Sequence, residues 1–208
     1  MSYKKIIRLK MKSILVLLAN CHGKNTRGKR SPDGRLREYA WGREINKRIT
    51  EELYKYGIKT VIINPEENEV KLSVQAARAN NLYHQNKNKY DEIILVSPHV
   101  NASATNGWSD ARGFSCYVYT KAGNKSRKLA KIIGDLAYDK YKLQGNRWIP
   151  NNRYFEANYA ILRETVMPAV LTECSFQTNK EDVDFLLSEE GKKTYTNLHV
   201  SSILDYIQ

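Results

Sequence analysis

A chain of 208 residues suits one domain with a real core, or at most two very small ones. Hydrophobic residues make up 41% and charged residues 27%, which excludes disordered and collagen-like chains, and no apolar run approaches the roughly 18–20 residues of a membrane helix. Lysine and arginine outnumber aspartate and glutamate by 34 to 22, and the net charge of +12 implies attraction to a polyanion, whether nucleic acid, anionic cell wall or an acidic membrane surface.

Residues 1–12 read as a basic lead-in, with Lys4, Lys5, Arg8, Lys10 and Lys12. An apolar run and then Cys21 follow, which together have the outline of an export signal. The run is short, however, and Asn20 is a poor match to the small residue expected before a processed cysteine. Residues 13–19 are therefore read as a first strand, buried on both faces. Cys21, Cys116 and Cys174 are far apart and form no CxxC pair, so they read as thiols.

From Tyr39 the period changes. Trp41, Ile45, Ile49 and Leu53 mark one helical face, and Gly57 is its expected left-handed stop. Residues 59–64 predict a second strand, closed by Pro65, and Leu72, Ala76, Ala79 and Tyr83 a second helix. Residues 92–97 predict a third buried strand, ending in Ser97-Pro98-His99-Val100-Asn101-Ala102. Residues 113–120 alternate as a strand, with Cys116 on the core side between Phe114 and Val118. A helix with Leu129, Ile132, Ile133, Leu136 and Ala137 follows an expected cap at Asn124 or Ser126. Residues 146–158 read as a loop, and residues 159–162 and 169–173 as short strands. Asn179, followed by Glu181 and Asp182, starts a helix, and Tyr195, Leu198, Ile203 and Tyr206 mark the last one. Strands alternating with helices predict an α/β domain with a largely parallel sheet.

Two histidines, His22 and His99, each follow a buried strand. Parallel neighbours would bring them to one sheet edge, where α/β proteins hold ligands. Imidazole is a common zinc ligand, and a catalytic zinc takes three protein ligands and keeps one position open. Glu38, at a helix start, completes a His-Glu-His set. Glu173 ends the run Pro168-Ala169-Val170-Leu171-Thr172, where a carboxylate is costly unless paired or used. Each also has an ordinary structural reading: a core histidine, a helix-dipole partner, half of a buried ion pair. His84 reads as solvent-exposed and His199 as structural.

These motifs in this order resemble the zinc-dependent N-acetylmuramoyl-L-alanine amidases of the amidase-3 type, found among bacterial cell-wall hydrolases and phage lysins. "ILVLLANCHG" is similar to that family's first strand and metal-binding histidine, "GRLREYAWGREI" to its glutamate-ligand segment, and "SPHVNA" to its Ser-x-His-x-Asn-Ala motif. "AILRETVMPAVLTECSFQTNKEDVDFLL" is similar to its Leu-Arg…Pro-Ala-Val-Leu…Glu…Phe…Asn…Asp signature. The resemblance covers nearly the whole chain. It implies a single catalytic domain over residues 13–208, with a twisted, mostly parallel sheet flanked by helices on both faces. It also implies one zinc ion on His22, Glu38 and His99, with Glu173 as the catalytic carboxylate. The implied substrate is peptidoglycan, cut in the cell wall between muramic acid and L-alanine, by an enzyme without a clear signal peptide and so released as a phage-type lysin. Arg163 is a candidate for a stem-peptide carboxylate, Asn101 for orienting substrate or holding the turn after His99, and the basic loop 24–37 for the rim of the site.

Three positions depart from the family's pattern. Ala19-Asn20-Cys21 stand where Asp-Pro-Gly is common, Gly42 where an asparagine is usual, and Ser175 where a glycine is usual. Cys21 reads as a bystander in place of that glycine. Two other readings compete: another zinc peptidase or deacetylase of the cell wall, and a basic polyanion-binding module. No nucleic-acid-binding motif supports the latter.

Overall fold

The computed structural model describes residues 12–105 and 107–208. The basic lead-in therefore lies outside the described residues except for Lys12. The elements in chain order are β1 (Ile14–Leu18), α1 (Glu38–Lys55), β2 (Lys59–Ile62), α2 (Leu72–Asn86), β3 (Glu92–Asn101), β4 (Ser115–Tyr119), α3 (Asn124–Asp135), β5 (Phe155–Ala157), α4 (Ala160–Arg163), β6 (Ala169–Phe176), α5 (Lys180–Leu187) and α6 (Glu189–Tyr206). A π-helical turn, Leu136–Lys140, extends α3.

Six strands form one sheet in the order β2-β1-β3-β6-β4-β5. β2, β1, β3 and β6 run parallel, β4 runs antiparallel against β6, and β5 runs parallel to β4. Alternate residues of each strand feed two cores, because the side-chain period of a strand is two. Val16, Leu18, Ile94, Val96, Cys116 and Val170 pack beneath Trp41, Ile45, Leu129, Tyr195 and Leu198 of α1, α3 and α6. Leu15, Leu17, Ile93, Leu95, Ala169 and Leu171 pack against Ala79 of α2 and Ile161 and Leu162 of α4. This is the single α/β domain with helices on both faces that the strand–helix alternation predicts. Among the described residues, no helix is long and apolar enough to cross a membrane.

The expected start of the first strand holds: residues 14–18 are buried on both faces. Gly57, at a φ of +71°, follows α1 as expected. The Asn179 side chain accepts the N–H of Asp182 and caps α5. Three local expectations fail. Residues 159–162 are not a strand; α4 forms there, and the edge strand β5 lies just before it, inside the expected loop. A four-residue apolar run has no period to separate the two states, and burial of Ile161 and Leu162 decides. Neither Asn124 nor Ser126 caps α3, whose N-cap is Gly123; the Ser126 hydroxyl instead accepts the N–H of Ala169 at 3.2 Å. β3 also runs four residues beyond Ser97, so His99 lies within a strand rather than after one.

His199 is fully buried in α6. Its Nδ1 donates to the Tyr195 carbonyl at 2.7 Å, which leaves Nε2 to accept from the Thr172 hydroxyl at 2.9 Å. Burial pushes its pKa down from 6.5 to about 4. Between those two values the unfolded chain carries a proton that the folded chain lacks. Stability from this group is therefore complete above pH 6.5 and is lost as pH falls toward 4, by about 3 kcal/mol in all. Urea midpoints followed from pH 7 to pH 4 should show this slope, and His199→Gln should flatten it.

Candidate metal and catalytic site

The chain leaves β1 through a buried asparagine network. The Asn20 N–H donates to Asn64 Oδ1 at 2.8 Å, Asn64 Nδ2 donates to the Asn20 carbonyl at 2.8 Å, and Asn46 Nδ2 donates to Asn20 Oδ1 at 2.9 Å. His22 then adopts a positive φ of +31°, a conformation that costs energy outside glycine and persists only where the surroundings enforce it. Arg43 is one such enforcer: its Nη1 donates to the carbonyls of His22 and Tyr39 at 2.9 and 3.0 Å, and its Nη2 to that of Glu66. Glu69 is another, since its Oε2 accepts the Gly23 N–H at 2.6 Å and lies 3.8 Å from His22 Nδ1.

Glu38 is the first residue of α1 and is 1% exposed. Its Oε1 accepts the Val100 N–H at 3.1 Å and lies 3.1 Å from His99 Nδ1. Its Oε2 lies 3.7 Å from His22 Nε2 and, among the described residues, has no hydrogen-bond partner. The His22 and His99 rings meet edge to face with centroids 5.4 Å apart. Across the β3–β6 register His99 pairs with Glu173, whose Oε2 is also buried without a hydrogen-bond partner. Two buried carboxylate oxygens without hydrogen-bond partners, beside two imidazoles, are costly unless a cation meets them. Two imidazoles and two carboxylates are a donor set that fits a divalent cation.

The proton affinities follow the same geometry. Burial pulls His22 below its usual value. Burial also opposes charge on His99, but the hydrogen bond and charge of Glu38 outweigh it and raise His99. Glu38 is held below its usual value by those histidines against the opposing effect of burial. Glu173 goes the other way: burial raises it to about 7, with His99 pulling back. The Lys29 charge acts on His22, His99 and Glu173 alike, which brings one cation of the basic loop up to the site.

The family model described as N-acetylmuramoyl-L-alanine amidase matches residues 16–205. The chain belongs to this amidase family. An endolysin of Bacillus phage SPP1 is 29% identical over 116 residues, which is 55% of this chain but only 40% of that protein. An N-acetylmuramoyl-L-alanine amidase from Clostridium difficile superposes with a TM-score of 0.78 at 26% identity, over 94% of this chain and 97% of that one. The corresponding figures for an amidase from Mycobacterium smegmatis are 0.77 and 20%, over 95% and 98%.

Against the amidase pattern, the departures become interpretable. Asn20 stands where a proline is common, and its N–H, which a proline lacks, is used by Asn64. Ser175 stands where a glycine is usual and keeps a left-handed φ of +65°, with its hydroxyl 2.6 Å from that of Tyr195. Cys21 and Gly42 are two halves of one exchange. A Cβ at Gly42 would lie 2.4 Å from Cys21 Sγ, so the thiol fills space that a side chain on α1 would need. In a double-mutant cycle of Gly42→Ala and Cys21→Gly, measured by urea unfolding, the overpacking penalty should appear only when Cys21 is present. The expected coupling is about 1–3 kcal/mol.

Cys21 is closer to the site than a bystander. It is beyond β1, so strand alternation does not separate it from His22. Its Sγ donates to the Glu38 carbonyl at 3.2 Å, and its Sγ and ligand atoms of Glu38 and His99 all lie within 4.8 Å of one another. Burial raises its pKa well above the usual thiol value.

Asn101 ends β3, and its Oδ1 accepts the Ala102 N–H while its carbonyl accepts the Gln177 N–H, which suits a role in the turn. Arg163 is not brought to the site. It lines a pocket with Glu92, Pro168 and Ala169, at the opposite ends of β3 and β6 from His99 and Glu173, and its guanidinium is engaged by Asn158 and Glu164. Lys29 belongs to the basic loop expected at the rim, whereas Glu69 and Arg43 are site residues that sequence reasoning missed. No local pattern marks those two, because each acts across a loop-to-loop or helix-to-loop contact.

Proposed function

We propose that this amidase hydrolyses the amide between the lactyl group of N-acetylmuramic acid and L-alanine in peptidoglycan, using one zinc ion held by His22, Glu38 and His99. The observation that carries this reading is the convergence of both histidines on the Glu38 carboxylate, His99 at Oε1 and His22 at the unsatisfied Oε2, with the unsatisfied Glu173 oxygen across the strand register from His99. A zinc ion there supplies Lewis acidity, which acidifies water and polarises the scissile carbonyl. Glu173 takes the proton of the attacking water on its free Oε2 and returns it to the departing alanine nitrogen, which leaves poorly without it. Its raised proton affinity suits a group that must both accept and give a proton near neutrality.

Glu38 has two jobs in this scheme. Oε1 is anchored by the Val100 N–H, which leaves Oε2 free to face the ion. Glu69 acts as a positioning residue: its Oε2 accepts the Gly23 N–H and places a negative charge 3.8 Å from the far nitrogen of His22. The chain acts in the cell wall, as its phage and bacterial relatives suggest.

Digestion of peptidoglycan with and without chelator, followed by product mass analysis, tests the reading. New L-alanine N-termini that vanish with chelator are expected. Release of acetate, or of fragments cut within the stem peptide, would overturn it in favour of a deacetylase or peptidase.

A further inference from the structure

The sheet face that bears Glu173 continues past it onto β4 and β5. In the antiparallel register Ser115 stands opposite Glu173 and Tyr117 opposite Leu171, and on β5 Phe155 stands opposite Tyr117. Cross-strand partners share a face, so Glu173, Tyr117 and Phe155 look out of the same side. The rings there form a continuous surface. Tyr117 meets both Phe155 and Tyr159 with centroids 5.4 Å apart, and Trp148 meets Phe155 at 6.2 Å. Trp148 is 75% exposed and Tyr159 39%, so the outer rings face water, while Tyr117 packs against the core and holds the surface in place. Contiguous exposed aromatics of this kind mark binding grooves. Asn151 and Asn152 are exposed on the adjoining turn.

The other flank of the catalytic groups is chemically opposite. On the β1 side, a pocket of about 360 Å³ is lined by residues 24–30, 37 and 39. It offers Lys24, Arg27, Lys29, Arg30 and Arg37, with no carboxylate among its lining residues. The proposed substrate has the same asymmetry. On the acyl side of the amide is a chain of N-acetylated sugars without peptide charge, and on the amine side is a peptide bearing carboxylates.

We infer that Tyr117, Phe155, Trp148 and Tyr159 form a saccharide subsite that seats N-acetylhexosamine rings on the acyl side, while the stem peptide extends over the basic pocket. The inference rests on the amide-cleaving function proposed above. The C–H faces of a pyranose ring pack on flat aromatic rings, and tyrosine and tryptophan keep a polar edge for its hydroxyls. Charge complementarity sets the direction, since reversing the substrate would lay the neutral sugar over five cations and the acidic peptide over the aromatics.

The test uses N-acetylchitotetraose, a β-1,4-linked N-acetylglucosamine oligomer with no peptide, titrated into the full chain while tryptophan fluorescence is followed. Saturable quenching is expected. Followed by calorimetry, which does not need the Trp148 reporter, Trp148→Ala should abolish sugar binding and Tyr159→Ala should weaken it about tenfold. Both side chains are exposed, so these truncations leave the core intact. Arg27→Ala with Arg30→Ala should leave sugar binding unchanged and instead raise KM for wall fragments that carry stem peptide. Unchanged fluorescence in the wild-type chain, or wild-type sugar affinity in both aromatic variants, would overturn the subsite. A lack of new L-alanine N-termini would overturn the proposed reaction, and the sugar titration does not depend on that result.

Discussion

Alanine at His22 is expected to remove metal and activity together, while alanine at Glu173 is expected to leave metal in place and stop turnover. The two residues are close but differently placed. His22 Nε2 faces the free Oε2 of Glu38, so its loss removes one of three donors and leaves a buried carboxylate oxygen with even less to satisfy it. Glu173 contributes no oxygen to that cluster in the proposed scheme, and its work is proton transfer. Its loss should lower kcat by roughly 10²–10⁴-fold. Elemental analysis of dialysed protein, paired with release of L-alanine N-termini from peptidoglycan, separates the two failures. Wild-type cleavage by Glu173→Ala would sink the assignment of the base.

Gly23→Ala is expected to have the next largest effect, although the residue has no side chain to offer the site. A Cβ there would lie 1.9 Å from the Glu69 backbone nitrogen and 2.4 Å from the Asn68 carbonyl carbon. These are backbone atoms, so no rotamer relieves the clash and the two loops must part. The hydrogen bonds that join them are the Gly23 N–H to Glu69 Oε2, the Lys24 N–H to the Glu67 carbonyl at 2.7 Å and the Glu69 N–H to Asn25 Oδ1 at 2.8 Å. His22 would lose the carboxylate behind its ring. Metal affinity, measured by competition with a chromophoric chelator, should fall roughly 10–100-fold. Glu69→Gln is the control that keeps side-chain shape and removes charge. It should lower metal affinity while thermal stability stays near wild type. If Gly23→Ala bound metal as tightly as wild type, the loop contact would have no part in positioning His22.

The four central positions were legible in the sequence because each stands at a junction. His22, His99 and Glu173 each come at or just beyond the end of an apolar run, and Glu38 opens an amphipathic helix. Runs and periods are local properties, and they locate strands, helices and the polar residues that interrupt them. The resemblance to the amidase family added the role of Glu173, which its position alone left open between a buried ion pair and a catalytic group. Arg163 shows the limit of that carry-over. It belongs to the same motif as Glu173, but α4 and the start of β6 place it at the other end of the sheet.

By itself, then, the sequence determined the order of the main strands and helices, though not β5 or α4, and the candidate donors, because burial imposes periods of 2 and 3.6 that a linear reading detects in all but the shortest runs. Only the tertiary structure decided what those donors meet. It set Glu69 behind His22 and Arg43 beneath it, and it matched Cys21 to the missing side chain at Gly42. It also ran the aromatics of β4 and β5 along the face of Glu173. These contacts join segments tens of residues apart through backbone positions and strand register, and no local pattern in a single chain encodes the distance between two loops.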